Sequence, residues 1–335
     1  MEVESGPHTG PQRTIAVDAM GGDSAPEVPV AGALAALAEL PEHIRIALVG
    51  DPERIGAVLP TAADPRVDVV PASESIEMDE APALAVRRKR DSSIVVGLEL
   101  QRSGEADAFI SAGSTGAVMA ASVLVLGALP GVDRPAVGAM FPTTKSPVLV
   151  LDVGANVDCK ARQLHQFAHL GSVYVRDLRL IEQPRVGLLN VGEEPEKGGD
   201  TTTHAYALLA ADPTLHFVGN VEGHQIIEGV CDVLVCDGFA GNTLLKFYES
   251  IAAFVIGLLR HPSGRLWKKS RVQQIVHVLD YAEYGGAPLL GVRGVSIVCH
   301  GASPSRAIKN AVRVAYRSAE SSMVRDMALD LESLA

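Results

Sequence analysis

Aromatic side chains make up only 4% of this 335-residue chain, with a single tryptophan, Trp267. Base-stacking platforms need aromatics, so a groove for single-stranded nucleic acid is excluded. Positive charge is also scarce: 29 Lys and Arg face 40 Asp and Glu, for a formal net charge of −11. DNA or RNA is therefore not expected as a main partner, although local basic patches remain open. There are four cysteines, Cys159, Cys231, Cys236 and Cys299, none in a CxxC pair and none joined by a zinc-finger histidine pair. They read as small buried residues of a reducing compartment. No apolar stretch approaches the ~20 residues that cross a bilayer. The opening MEVESGPHTGPQR carries no basic–apolar signal pattern, so a cytoplasmic location is expected, with residues 1–12 as a flexible polar arm.

Several catalytic signatures are missing as well. The absence of GxxxxGKS/T argues against a P-loop kinase or ATPase, and that of GxGxxG after the first strand against an ordinary dinucleotide site. Without GxSxG there is no serine nucleophile elbow. No metal-ligand spacing stands out, and neither a metal nor a cofactor is expected.

What the chain does have is glycine, 32 residues of it, and a 47% apolar content that can fill a large core. Apolar runs alternate with helical patterns: TIAVDA, IRIALVG, VDVVPA, ADAFISAG, RVGLLNVG, LHFVGN, CDVLVCDG and GVSIVCHG are strand-like, and PAVGAMF with PVLVLDVG reads as a hairpin through PTTKS. This rhythm predicts a three-layer α/β/α, Rossmann-like fold with a mostly parallel sheet. It is expected as one domain over 13–335, with a helical elaboration at 240–282.

Ligands in such sheets bind outside the carboxyl ends of the strands. Those ends read DAMGGD, SAGSTGA, DVGANVD, NVGEEPEKG, GNVEG, CDGFAGN and CHGAS. Each alone can be a turn or a helix cap; together they suggest a polar cleft lined with backbone N–H groups. SAGSTGA is the strongest anion candidate, since Gly113, Ser114, Thr115 and Gly116 sit where a strand enters a helix. The strand-end acids Asp18, Asp23, Asp152, Asp158 and Asp237 can bind a metal, act as bases or cap loops, and capping is the commonest role. Cys159 is the one thiol near such a loop, and His300 of CHGAS is an acid/base or anion-binding candidate. Basic residues cluster in RRKR (87–90) and in RHPSGRLWKKSR (260–271) after the apolar IAAFVIGLL. The second cluster, with Arg260, Arg265, Trp267, Lys268, Lys269 and Arg271, suits an anionic membrane surface or an acidic protein.

The segments AVDAMGGDSAPE, FISAGSTGAVMAAS, LDVGANVDCK, RVGLLNVGEEPEKG, VCDGFAGN, YGGAPLLGV and HGASPSRAIKNA occur in order. Together they resemble the bacterial phosphate acyltransferases of phospholipid synthesis over about residues 13–320. The resemblance implies a fold like that of phosphotransacetylases and isocitrate/isopropylmalate dehydrogenases. It implies transfer of a fatty acyl group from acyl carrier protein to inorganic phosphate, with the acyl phosphate passed to a membrane glycerol-3-phosphate acyltransferase. It also implies a homodimer, peripherally associated with the membrane. Phosphate is then the nucleophile, so no Ser or Cys nucleophile is required. Lys160, Lys197 and His300 are the candidates for charge stabilisation or for protonating the leaving thiolate. Asp18, Gly21, Gly22, Asp23, Gly113, Ser114, Thr115, Gly116, Asn156, Asn190 and Asn242 are the candidates for substrate binding. Position 114 is Ser where the family commonly has Asn. A phosphotransacetylase using coenzyme A, a nicotinamide-dependent hydroxyacid dehydrogenase and a non-catalytic scaffold for the carrier protein are the rival readings.

Overall fold

The computed structural model describes residues 11–62, 64–259 and 280–332. Nearly all of the expected N-terminal arm lies outside the described residues, as do Arg260, Arg265, Trp267, Lys268, Lys269 and Arg271 and most of the second half of the 240–282 elaboration. Contacts divide the chain into two compact units: residues up to Gly127 with Gly294–Glu320, and Ala128–Arg293 with the residues from Ser321 onward. No linker composition marks the crossings at LGALP or GVRG, so nothing in the sequence pattern announces this division.

The first unit carries a five-stranded run in the order β3 (Val67–Pro71), β2 (Ile44–Gly50), β1 (Arg13–Asp18), β4 (Ala108–Ser111) and β11 (Ser296–Val298). Every pairing in it is parallel. Strands covered on both faces read as continuous apolar runs rather than alternations. IALV and AFI behave that way, and Ile15, Ile46, Leu48, Phe109 and Ile110 are fully buried. Helix α1 (Glu27–Leu37) packs on the helix Ser305–Glu320, and α4 (Ser93–Ser103) packs on α5 (Thr115–Val125).

The second unit orders β10 (Ala287–Leu290), β5 (Ala136–Phe141), β6 (Val148–Leu151), β9 (Val233–Val235), β7 (Arg185–Leu189) and β8 (His216–Val221). The expected β5–β6 hairpin is present and antiparallel, and β10 adds antiparallel to β5. From β6 onward the pairings are parallel. Helices α6 (Ala161–Arg179), α7 (Asp200–Ala211) and α8 (Gly238–Leu259) follow β6, β7 and β9 in the chain. The short β10 and the last helix, Met323–Glu332, lack a long periodic pattern and went unread in the sequence.

Two glycines show how tightly the helices approach. A Cβ on Gly32 of α1 would lie 2.5 Å from Ile308 Cβ and 2.6 Å from the Ser305 carbonyl oxygen. One on Gly56, in α2 (Pro52–Val58), would meet nothing within 4 Å. Gly32→Ala should therefore cost about 1–3 kcal/mol by overpacking. Gly56→Ala should instead gain up to about 1 kcal/mol from helix propensity. Urea unfolding of the two variants checks the pair; equal shifts would contradict the packing.

Candidate active site

In each unit a buried aspartate stands at the carboxyl end of a strand. Asp18, ending β1, is 1% exposed. One oxygen accepts from the Met20 N–H at 3.0 Å and the other from the Ser111 hydroxyl at 2.6 Å. Burial raises its pKa above the ordinary range, against the pull of hydrogen bonds from Ser111, Ser93, Met20 and Gly21. Ser111 in turn accepts from the Gly113 N–H at 2.9 Å, so Asp18 fixes the glycine loop after β4 as well as its own. A Cβ on Gly21 would lie 2.5 Å from the Asp18 carboxylate and 2.6 Å from Gly113 N, which leaves room for glycine alone. Gly22 has φ +103°, a conformation L side chains rarely adopt.

The same loop is clasped from β11. The Asp23 N–H donates to the Gly301 carbonyl at 2.9 Å. In that loop His300 is exposed, and its Nδ1 accepts from the Ala302 N–H at 3.1 Å. An accepting Nδ1 leaves Nε2 to carry the ring proton. Ser114 caps α5, its hydroxyl accepting from the Ala117 N–H at 3.4 Å. The Asn common at this position in the resembling family can make the same cap. Thr115 and Gly116 open the helix, where backbone N–H groups lack intrahelical acceptors.

Asp152, just after β6, is fully buried. It accepts from the Val137, Ala155 and Asn156 N–H groups at 3.0, 3.1 and 2.6 Å, and from Asn156 Nδ2 at 3.0 Å. Burial raises its pKa, and the four donors oppose that rise. Asn156 also donates to Pro135 O and accepts the Gly238 N–H through its own carbonyl, both at 2.8 Å. That contact leads into α8, where a Cβ on Gly241 would sit 1.9 Å from Asp152 O. Asp237 accepts from the Ala240 N–H at 2.7 Å as a cap. Asn242 is exposed and lies across from Gly154, and Asp158 is exposed.

Lys160, directly before α6, is exposed and joins no ion pair among the described residues. Lys197 lies in the loop after β7, with Nζ 3.9 Å from Glu194. Asn190 Nδ2 donates to the Lys197 carbonyl at 2.9 Å, tying the ends of that loop. In RRKR, Lys89 pairs with Glu80 and donates to the Ser75 carbonyl, while Arg87, Arg88 and Arg90 are exposed.

Of the proposed substrate-binding residues, the structure gathers Asp18, Gly21, Gly22, Asp23 and Gly113 with His300 at the first unit's strand ends. It gathers Asn156 and Asn242 around Asp152 in the second unit. The side chains of Asp18 and Asn156 are consumed by loop hydrogen bonds, so their contribution is to loop position. Ser111 and Ser93, which reach Asp18, were missed: a serine ending an apolar strand or opening a helix gives no sequence signal of a distant partner. Cys159 is no nucleophile. It is 5% exposed, and burial, reinforced by the Asp152 charge, pushes its thiol up to about 12.

Parallel strands whose carboxyl ends carry helix-opening glycine loops define an α/β protein, and its fold is like that of solved phosphotransacetylases. A phosphotransacetylase from Streptococcus pyogenes superposes with a TM-score of 0.63 at 16% identity, over 92% of this chain and 94% of that one. A 4-hydroxythreonine-4-phosphate dehydrogenase from Klebsiella pneumoniae gives 0.56 at 14% identity, over 92% and 99%. The sequence is more specific: residues 13–325 match the Fatty acid synthesis protein family, and the chain belongs to it. A relative from Heliobacterium modesticaldum named phosphate acyltransferase is 50% identical over 92% of this chain and 95% of its own length.

All four cysteines are free and buried. Iodoacetamide at pH 8 should leave the folded protein unlabelled and modify four thiols after urea unfolding. Rapid labelling of Cys159 in the native protein, read by peptide mass spectrometry, would contradict this burial.

Proposed function

We propose that this chain is a phosphate acyltransferase of phospholipid synthesis that takes a fatty acyl group from acyl carrier protein and delivers it to inorganic phosphate. Membership of the Fatty acid synthesis protein family, with 50% identity to a phosphate acyltransferase, carries the reading. Phosphate binds at the α5 N-terminus, at Ser114, Thr115 and Gly116, beside the Gly21–Gly22 turn. Backbone N–H groups and the helix dipole favour an anion there, and the nearby Asp18 is turned inward, engaged by its own donors.

A phosphate oxygen attacks the thioester carbonyl, forming a C–O bond. The resulting oxyanion collapses, the C–S bond breaks, and sulfur leaves with the electron pair and takes a proton. His300 presents Nε2–H as one donor. Lys160 is the stronger of the two lysine candidates for meeting negative charge, because Lys197 has Glu194 at 3.9 Å. The acyl phosphate then serves a membrane glycerol-3-phosphate acyltransferase.

Phosphate-dependent release of carrier-protein thiol from palmitoyl–acyl carrier protein, with hydroxylamine trapping the product, tests this reading. Lys160→Ala should lower turnover by about 10²–10³-fold, and Lys197→Ala by less. Thiol release that ignores phosphate would refute the assignment, and release from coenzyme A thioesters alone would favour the phosphotransacetylase reading.

Peripheral membrane association and homodimerisation belong to the same proposal. Helix α8 supports them with an exposed stripe, Phe247, Ile251, Phe254 and Leu258, at four-, three- and four-residue spacing. Phe247 is 66% and Phe254 63% exposed, too much apolar surface to leave in water without a partner. On another side of α8, Tyr248 packs its ring 5.4 Å from Phe141. No helix among the described residues is long and apolar enough to cross a membrane. Phe247→Glu with Phe254→Glu should at least halve co-sedimentation with phosphatidylglycerol vesicles while sparing turnover of soluble substrate. Unchanged sedimentation with a loss of dimer in light scattering would assign the stripe to the dimer instead.

A further inference from the structure

Three side chains of the second unit converge on the first half of α6, of which His165 and His169 are the fifth and ninth residues. His165 and His169 are one turn apart on that helix, in HQFAH, with ring centroids 4.9 Å apart and planes at 81°. Asp212 follows α7 and precedes β8, at the amino end of the strand, whereas the loops described above lie at carboxyl ends. Nε2 of His165 and Nε2 of His169 both point at Asp212 Oδ2, at 2.8 and 2.9 Å. The other Asp212 oxygen is occupied by the Thr214 N–H and hydroxyl. Behind His169, Nδ1 lies 2.6 Å from Asp330 Oδ2 on the last helix.

The proton count decides what this cluster lacks. A neutral His169 that gives its proton to Asp330 turns a bare Nε2 lone pair toward a carboxylate oxygen. Lone pairs facing at 2.9 Å in a site where His169 is 2% and Asp212 8% exposed repel each other unless a proton or a cation sits between them. An imidazolium supplies the proton. A metal ion supplies positive charge to all three atoms at once, because the candidate ligand atoms of His165, His169 and Asp212 lie within 4.8 Å of one another. Two neutral imidazoles on successive turns plus one carboxylate are a zinc-type ligand set, and a carboxylate behind a ligating histidine is the usual orienting partner. Ligand atoms about 2 Å from a tetrahedral ion sit roughly 3.3 Å apart, so the two contacts to Asp212, now 2.8 and 2.9 Å, open slightly to admit it. A cavity of about 340 Å³, lined in part by His169, Arg176, His216 and Asp330, adjoins the cluster and gives solvent access.

We propose that His165, His169 and Asp212 bind one divalent transition-metal ion, zinc by ligand type, with Asp330 orienting His169. The ion joins α6, the end of α7 and the last helix. It is a tie within the second unit and completes its coordination with water.

The test uses the intact chain, stripped with EDTA, dialysed and titrated with Co²⁺ and then Zn²⁺. One equivalent of Co²⁺ should bind with visible d–d bands, and Zn²⁺ should displace it. Zn²⁺ should also raise the melting temperature, as any ligand of the folded state does. His165→Ala should weaken binding by at least ~100-fold, and Asp330→Asn, as the orienting carboxylate, by about 10–100-fold. His224→Ala, an exposed histidine elsewhere, should change nothing; circular dichroism checks that the variants fold. Absence of stoichiometric Co²⁺ binding by the unmodified chain would overturn the proposal and leave an imidazolium between two carboxylates. Binding that survives His165→Ala would overturn it too, by marking the metal as adventitious.

Discussion

The strand-end loops of each unit depend on one constraint, a carboxylate buried at a strand's carboxyl end that must find donors without water. Asp18 and Asp152 carry that constraint in the two units. Each meets it with backbone N–H groups from its own loop and with a neighbour, Ser111 for Asp18 and Asn156 for Asp152. An ionised carboxylate withdrawn from water is costly unless hydrogen-bonded, so these loops have little freedom to rearrange. Glycine at positions 21, 113, 238 and 241 is a consequence of the same constraint. The chain passes so close to the carboxylate, or to the loop it holds, that a Cβ at 21, 238 or 241 would collide and one at 113 would be pressed.

In the proposed reaction phosphate is the nucleophile, and loops pinned this way suit a protein that supplies none. The thiols are buried, and those of Cys159, Cys231 and Cys299 are pushed up to about 12 by burial. What the strand ends offer is oriented N–H groups, a few exposed cations and the Nε2–H of His300. A site that meets charge developing on a substrate needs those groups to be fixed beforehand, because their reorganisation would otherwise add to the barrier. In that proposal the buried aspartates act one step removed from the reacting atoms.

The second unit shows the same physics at its other edge. His169 stands between Asp212 and Asp330, and His165 joins at Asp212. Where the strand-end aspartates are satisfied by backbone N–H donors, Asp212 and Asp330 meet imidazole nitrogens whose protons depend on tautomer and charge. That difference is what the metal proposal rests on.

Much of this was legible in the sequence. Continuous apolar runs ending in Gly, Asp and Asn identified parallel strands buried on both faces and put the polar loops at their carboxyl ends. Period and turn chemistry are local, and local signals survive without a structure. The strand order, the division at Gly127 and Arg293, and the pairing of Ser111 with Asp18 across 93 residues were not legible, since they depend on contacts between distant segments. The sequence also presented Asp18 and Asn156 as possible ligand contacts, and burial turned both inward. The i, i+4 histidine pair of HQFAH was not read as ligand spacing. Only the fold brought Asp212 and Asp330 to it, because a side-chain cluster forms where separate helices converge and no single stretch of chain encodes that meeting point.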